Sequence, residues 1–270
     1  MLNLLRMNRR RIFRSKMFFI AFLVLLTVSV ASGPVQMAMV KAVSGIADLA
    51  EADPESTAII EEELSVVKEV NLSDLIAKPF VLNFLALFIL LLVVSFSYMD
   101  IENGFIKNIA GQQPKRSRVA VSKFLTVMLS NLVLMLTALG GQIASRCIVG
   151  KVVIDKGIAQ AAYTFGVKWL LILAISAVLI FITVGIGFKP LATIMAVLAA
   201  TGALGLFYIG ADMALENLLH IKNFSLMDYA PDQLLTEQSY SGPRAIIVAV
   251  AFVVVFMGLT IWRANRTDIK

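Results

Sequence analysis

The sequence predicts an all-α, polytopic membrane protein with six transmembrane helices, a helix at the N-terminus lying in the membrane interface, and a second short amphipathic helix in one loop. Three observations predict it. The 270 residues are 59% hydrophobic with a mean hydropathy of +0.85, more apolar surface than a soluble domain of this length can bury. Six runs, each about 20 residues, are long enough to cross a hydrocarbon core. Lys and Arg are concentrated at alternate ends of those runs.

The expected spans are Met17–Val40, Pro79–Met99, Phe124–Ser145, Trp169–Phe188, Leu191–Ala211 and Ala245–Trp262. None contains Asp, Glu, Lys or Arg, as expected when a charge at mid-bilayer costs about 2.5–3.5 kcal/mol on insertion scales. Lys189 and Pro190 alone separate the fourth and fifth, which predicts a tight hairpin. Gly33-Pro34 is expected to kink or end the regular helix of the first. "SVASG", Ser29–Gly33, resembles a leader cleavage site, but the apolar run is long for one and continues as "PVQMAMV".

Six spans place both termini on one side, and the cations choose which. Arg6, Arg9, Arg10, Arg11, Arg14 and Lys16 precede the first span; Lys107, Lys115, Arg116, Arg118 and Lys123 follow the second; Lys189, Arg263, Arg266 and Lys270 complete that side. The stretch 46–76 opposite carries nine acidic residues, from Asp48 to Asp74, against Lys68. The positive-inside rule puts both termini in the cytoplasm and makes residues 41–78, 146–168 and 212–244 external loops. These cations account for the net charge of +6 without nucleic acid.

Outside the spans, Leu2–Phe13 reads as an amphipathic interfacial helix within the segment 1–16, with Leu2, Leu5, Ile12 and Phe13 apolar among arginines. The loop from Asp53 to Leu75 is expected to hold a helix with Pro54 in its first turn. Glu61, Glu62 and Glu63 are consecutive, so they point apart on a helix and read as a solvated face, not a metal site. Residues 212–244 are apolar without span length and fit two short helices, re-entrant or not. Cys147 and His220 are the only residues of their kinds. They exclude an intrachain disulfide framework and any Cys- or His-rich metal site.

Within the spans, Asn83, Asn131 and Gln142 are conspicuously polar. Interhelical hydrogen bonds account for them, and with Phe84 and Phe88 they are also candidates for a cargo path. Gly202 and Gly205 lie among alanines and let helices approach closely, either within the chain or at a dimer seam.

The loop after the second span combines polarity with helical spacing. Ile101, Phe105 and Ile109 share a face that Ile106 widens, and "GQQP" at Gly111–Pro114 stops the expected helix Asp100–Ile109. A helix this short needs a surface, either the bilayer interface or a cytoplasmic partner. Glu102-Asn103-Gly104-Phe105 with Lys107-Asn108, then Pro114, Arg118 and Lys123, resembles the loop between the second and third spans of type-2 ABC exporter permeases. Those include lantibiotic-immunity, bacitracin-resistance and phenol-soluble-modulin exporters. The basic N-terminus, the six spans, the large first external loop and "NFSLMDYAPD" at Asn223–Asp232 extend the likeness.

The resemblance implies that loop 100–118 holds a coupling helix seated on a separate ATPase subunit, with Ile101, Glu102, Gly104, Phe105, Ile106 and Ile109 in contact. It implies a permease homodimer with two ATPases, ATP and Mg2+ on the partner, and amphipathic peptide cargo leaving across a bacterial plasma membrane. The chain itself has no phosphate-cradling loop: near Gly150-Lys151, Ser145 stands where the first glycine belongs and Val152 follows the lysine. No enzyme and no bound cofactor are expected of it. An ion-coupled secondary transporter and a non-transporting sensor or scaffold are the other classes that composition allows.

Overall fold

A computed structural model describes residues 2–49, 69–77, 82–104, 117–154, 157–201, 203 and 241–266. Among them, the helices are α1 (Leu2–Phe13), α2 (Lys16–Leu49), α3 (Leu72–Ala77), α4 (Leu82–Glu102), α5 (Ser117–Val149), α6 (Ile158–Ile180), α7 (Lys189–Ala200) and α8 (Ser241–Arg266). Two short strands, β1 (Glu69–Asn71) and β2 (Lys151–Val153), and a π-helical turn, Phe181–Ile186, complete the set.

Five of the helical stretches are long and apolar enough to cross a membrane: Lys16–Ser44, Leu85–Glu102, Ser117–Val149, Ile158–Ile186 and Pro243–Arg266. The chain is a multi-pass, predominantly helical membrane protein. Of the expected fifth span, 191–211, the described part is α7, an apolar helix of 12 residues. Most of the rest, with Gly202 and Gly205, lies outside the described residues, as do most of 212–244 and residues 53–68.

Several helices overrun their apolar windows. Helix α5 begins seven residues before the expected span and carries Arg118, Lys123 and Arg146; α6 begins at Ile158 and carries Lys168. The stretch 146–168, expected as a loop, is therefore mostly helix. Apolar length reports bilayer thickness, whereas a helix stops where its backbone meets a breaker or a cap.

The junction of α1 and α2 is such a cap. The N–H of Ser15 closes α1 on the Ile12 carbonyl, while its Oγ donates to the same carbonyl and accepts from the Phe18 N–H. Phe13 and Phe18 meet edge to face across the junction, with centroids 4.7 Å apart. Ser15→Ala should cost about 1 kcal/mol, read as a lower Tm in thermal unfolding; an unchanged Tm would show that the cap is idle.

Pro34 does not interrupt α2, contrary to the sharper form of the expectation. Near the end of the loop Asp53–Leu75, Glu69–Asn71 is a strand. It pairs in parallel with β2 in the register Glu69 to Lys151, Val70 to Val152 and Asn71 to Val153.

The chain forms two compact units. One comprises Met1–Ala21, Asn83–Met135 and Gly166–Lys270. In it, Val167, Leu171 and Ala174 of α6 pack on Ala245, Val248 and Ala249 of α8, an interface whose small side chains bring helices close. The π-helical turn ends in Gly187 at φ 83°, with the Gly187 N–H on the Ile182 carbonyl. Pro190 sits in the first turn of α7, where no N–H is needed, so the expected hairpin turns at Gly187-Phe188.

The other unit comprises Phe22–Leu82 and Leu136–Phe165. It holds the strand pair and a close crossing of α2 with α5. A Cβ at Gly33 would meet Ser145 Oγ at 2.6 Å, and one at Gly141 would meet Ser29 Cβ at 2.7 Å.

Candidate functional site

The last turn of α4 gathers more chemistry than any other part of the first unit. Asp100 is 3% exposed, and Lys123, in the second turn of α5, is 1% exposed. The Lys123 ammonium lies 2.8 Å from Asp100 Oδ2 and donates to the Ser97 carbonyl at 2.7 Å. Arg11 Nη1 of α1 stands 2.6 Å from Asp100 Oδ1.

One turn earlier in α1, Asn8 Nδ2 donates to Ser122 Oγ at 3.0 Å. Leu4, Asn8 and Ile12 are buried at spacings of four and define the docked face of α1, with Arg11 beside them. The arginines Arg6, Arg9 and Arg10 point outward. The expected amphipathic helix therefore forms, but its buried face rests on protein.

Burying an ion pair costs several kcal/mol per ion in desolvation, and the mutual attraction repays this only with short, well-satisfied geometry. Lys123 has that geometry, with two acceptors below 3 Å. Such a cluster adds little net stability over an apolar one.

The same turn of α4 is held from a further side. Lys189, at the start of α7, pairs with Glu102 at 3.3 Å, both partly exposed, and its ammonium lies 5.2 Å from the centre of the Tyr98 ring. An exposed pair contributes about 0.2–1 kcal/mol. Residues 97–102 thus touch α1, α5 and α7 through side chains. Helix α4 ends just beyond. The Asn103 N–H bonds the Met99 carbonyl, the Gly104 N–H bonds the Ile101 carbonyl, and Gly104 adopts φ 64°, a left-handed stop that glycine takes without strain.

That stop changes the reading of the loop. Ile101 and Glu102 belong to the final turn of α4, not to a separate helix beginning at Asp100. The apolar spacing from Ile101 to Phe105 and Ile109 is cut by Gly104. Phe105, Ile106 and Ile109 lie outside the described residues. Glu102, expected to face a partner subunit, pairs with Lys189 of the same chain.

Of the other expected residues, Asn131 Nδ2 donates to Ser176 Oγ on α6 at 3.1 Å, an interhelical bond as anticipated. Gln142 is buried with neither amide atom partnered. Phe88 is half-buried in α4. Asn83 and Phe84 open α4, with side chains outside the described set. Phe18 and Phe96 are buried whereas Phe19 is 64% exposed, so the phenylalanines do not share one wall.

Sequence reasoning missed Asp100, Arg11 and Asn8 as a group, and Lys168 as a buried residue of α6. The available signal was weak: a charge at each end of an apolar run is also what a snorkelling side chain looks like. Among the described residues, no group of three His, Cys, Asp or Glu could hold a metal. The sequence matches no protein-family model and no curated protein.

Proposed function

We propose that this chain is the membrane-spanning permease subunit of an ATP-driven ABC exporter. Two copies pair with two separate ATPase subunits, which hold ATP and Mg2+. Cargo, amphipathic peptides or similarly hydrophobic molecules, leaves across a bacterial plasma membrane, with both termini of the permease in the cytoplasm.

The observation that carries the reading is the bracing of the last turn of α4, where Asp100 meets Arg11 and Lys123 while Glu102 meets Lys189. A partner pressing on the residues after Gly104 pushes on a turn tied to α1, α5 and α7, so its displacement spreads into several helices at once. Small shifts are passed on in this way because packed interfaces have discrete arrangements. Phe105, Ile106 and Ile109 supply the apolar contact, and the pairing of Glu102 holds the base of the loop.

The test is co-purification. Protein expressed with its neighbouring genes should retain an ATPase after solubilisation, and Phe105→Asp should release it. Retention of the ATPase by the variant sinks coupling through this loop.

A second reading has its own observation. Asp100, Lys123 and Lys168 are buried within helices of spanning length, and ionisable groups so placed mark ion-coupled transporters. Proton or sodium flux through reconstituted protein without ATP would favour it over the ATP-driven scheme.

A further inference from the structure

The second unit contains a polar seam that no part of the bracing uses. On α2, Ser29, Ser32, Gly33 and Gln36 share one face, and on α5 Gly141, Gln142, Ser145 and Arg146 face them. The Gly33 N–H donates to Ser145 Oγ at 2.7 Å, Ser32 Oγ donates to the Ser29 carbonyl at 2.7 Å, and Arg146 Nη2 donates to Gln36 Oε1. Gln142 falls within the arc that Ser145 and Arg146 define towards α2, and is 3% exposed.

Four buried polar positions in this seam have no hydrogen-bond partner among the described residues: Ser29 Oγ, both amide atoms of Gln142, and Arg146 Nη1. Unpartnered buried polar groups are uncommon and call for a reason. No carboxylate among the described residues pairs with Arg146; its contact is the neutral Gln36. Gln142 and Arg146 lie one turn apart on α5, so an amide N–H and a guanidinium N–H are neighbouring donors, and a cation without a counter-ion selects an anion.

We propose that the α2–α5 seam is a binding site for an oxyanion, a phosphate or carboxylate group, with Arg146 and Gln142 as donors. Arg146 is half-buried and stands at the flank of the seam. The anion enters by displacing the guanidinium from Gln36, and the guanidinium then takes it in a two-pronged grip. That the anion belongs to exported cargo rests on the transport reading; the site does not.

The test uses the full chain in dodecyl maltoside micelles, followed by thermal unfolding. Dodecyl phosphate and dodecanoate should raise the Tm in a saturable way. Arg146→Gln and Gln142→Leu should each raise the half-saturating concentration roughly tenfold or more, whereas Arg266→Gln, on the surface, should leave it alone. Gln142→Leu removes the unpaired amide, so the empty variant should fold at least as well as the parent.

Inorganic phosphate separates the sources. If it protects as well as dodecyl phosphate, the ligand is a free anion; if it does not, the ligand is an amphiphile. If none of the three protects, or the seam variants respond like the parent, the groups are satisfied by water and the proposal is wrong. No ATPase is present, so a negative result leaves the transport reading standing, and an ATPase that fails to co-purify leaves a positive result standing.

Discussion

Asp100→Leu should destabilise the protein by about 3–5 kcal/mol, because it leaves the Lys123 ammonium buried without a counter-charge. In a chain of this size that lowers the Tm by on the order of 10 °C. Lys123 is 1% exposed, so it cannot reach water without moving α5 or α4. Lys123→Met should cost less, since Asp100 keeps Arg11 at 2.6 Å. The double variant Asp100→Leu/Lys123→Met should recover most of the loss, because a well-packed apolar pair replaces a buried ion pair at little net cost. Thermal unfolding of the three proteins gives the coupling energy directly. If the losses simply add, the two residues do not act together.

Gly141→Leu should cost towards the upper end of about 1–3 kcal/mol. Replacing glycine inside a helix ordinarily gains up to about 1 kcal/mol from propensity, so the sign depends on the space available. Here a Cβ would lie 2.7 Å from Ser29 Cβ, and one at Gly33 would lie 3.1 Å from the Ser145 carbonyl oxygen. Backbone must shift in either case, and the clash outweighs the propensity gain. Ser29→Gly should rescue the milder Gly141→Ala by removing the atom it meets. Gly141→Ala with an unchanged Tm would mean that the helices are not in close contact.

Much of the architecture was legible in the residues, for a physical reason. Apolar length and absence of charge are local properties, so five stretches of spanning length and the α1 helix could be read from short windows. What could not be read was long-range or masked by a competing local signal. Arg11, Asp100 and Lys123 come from three separate parts of the chain, and no spacing rule links them. Ser29-xxx-Gly33 and Gly141-xxx-Ser145 were visible as small residues four apart, the pattern that packs helices in lipid. The first also reads as a leader cleavage site and a helix break at Gly33-Pro34, which masks the packing signal. Gly104 had a similar ambiguity. It sat within an unbroken apolar spacing, and only its backbone angle shows that α4 stops there.

The parallel pairing of β1 with β2 imposes a parity on the chain. Strands that share hydrogen bonds lie in one aqueous compartment, so the polypeptide between Asn71 and Lys151 must traverse the bilayer an even number of times. Helices α4 and α5 are the two described stretches of spanning length between those points. Adding or deleting one hydrophobic segment between these points would tear the ladder apart.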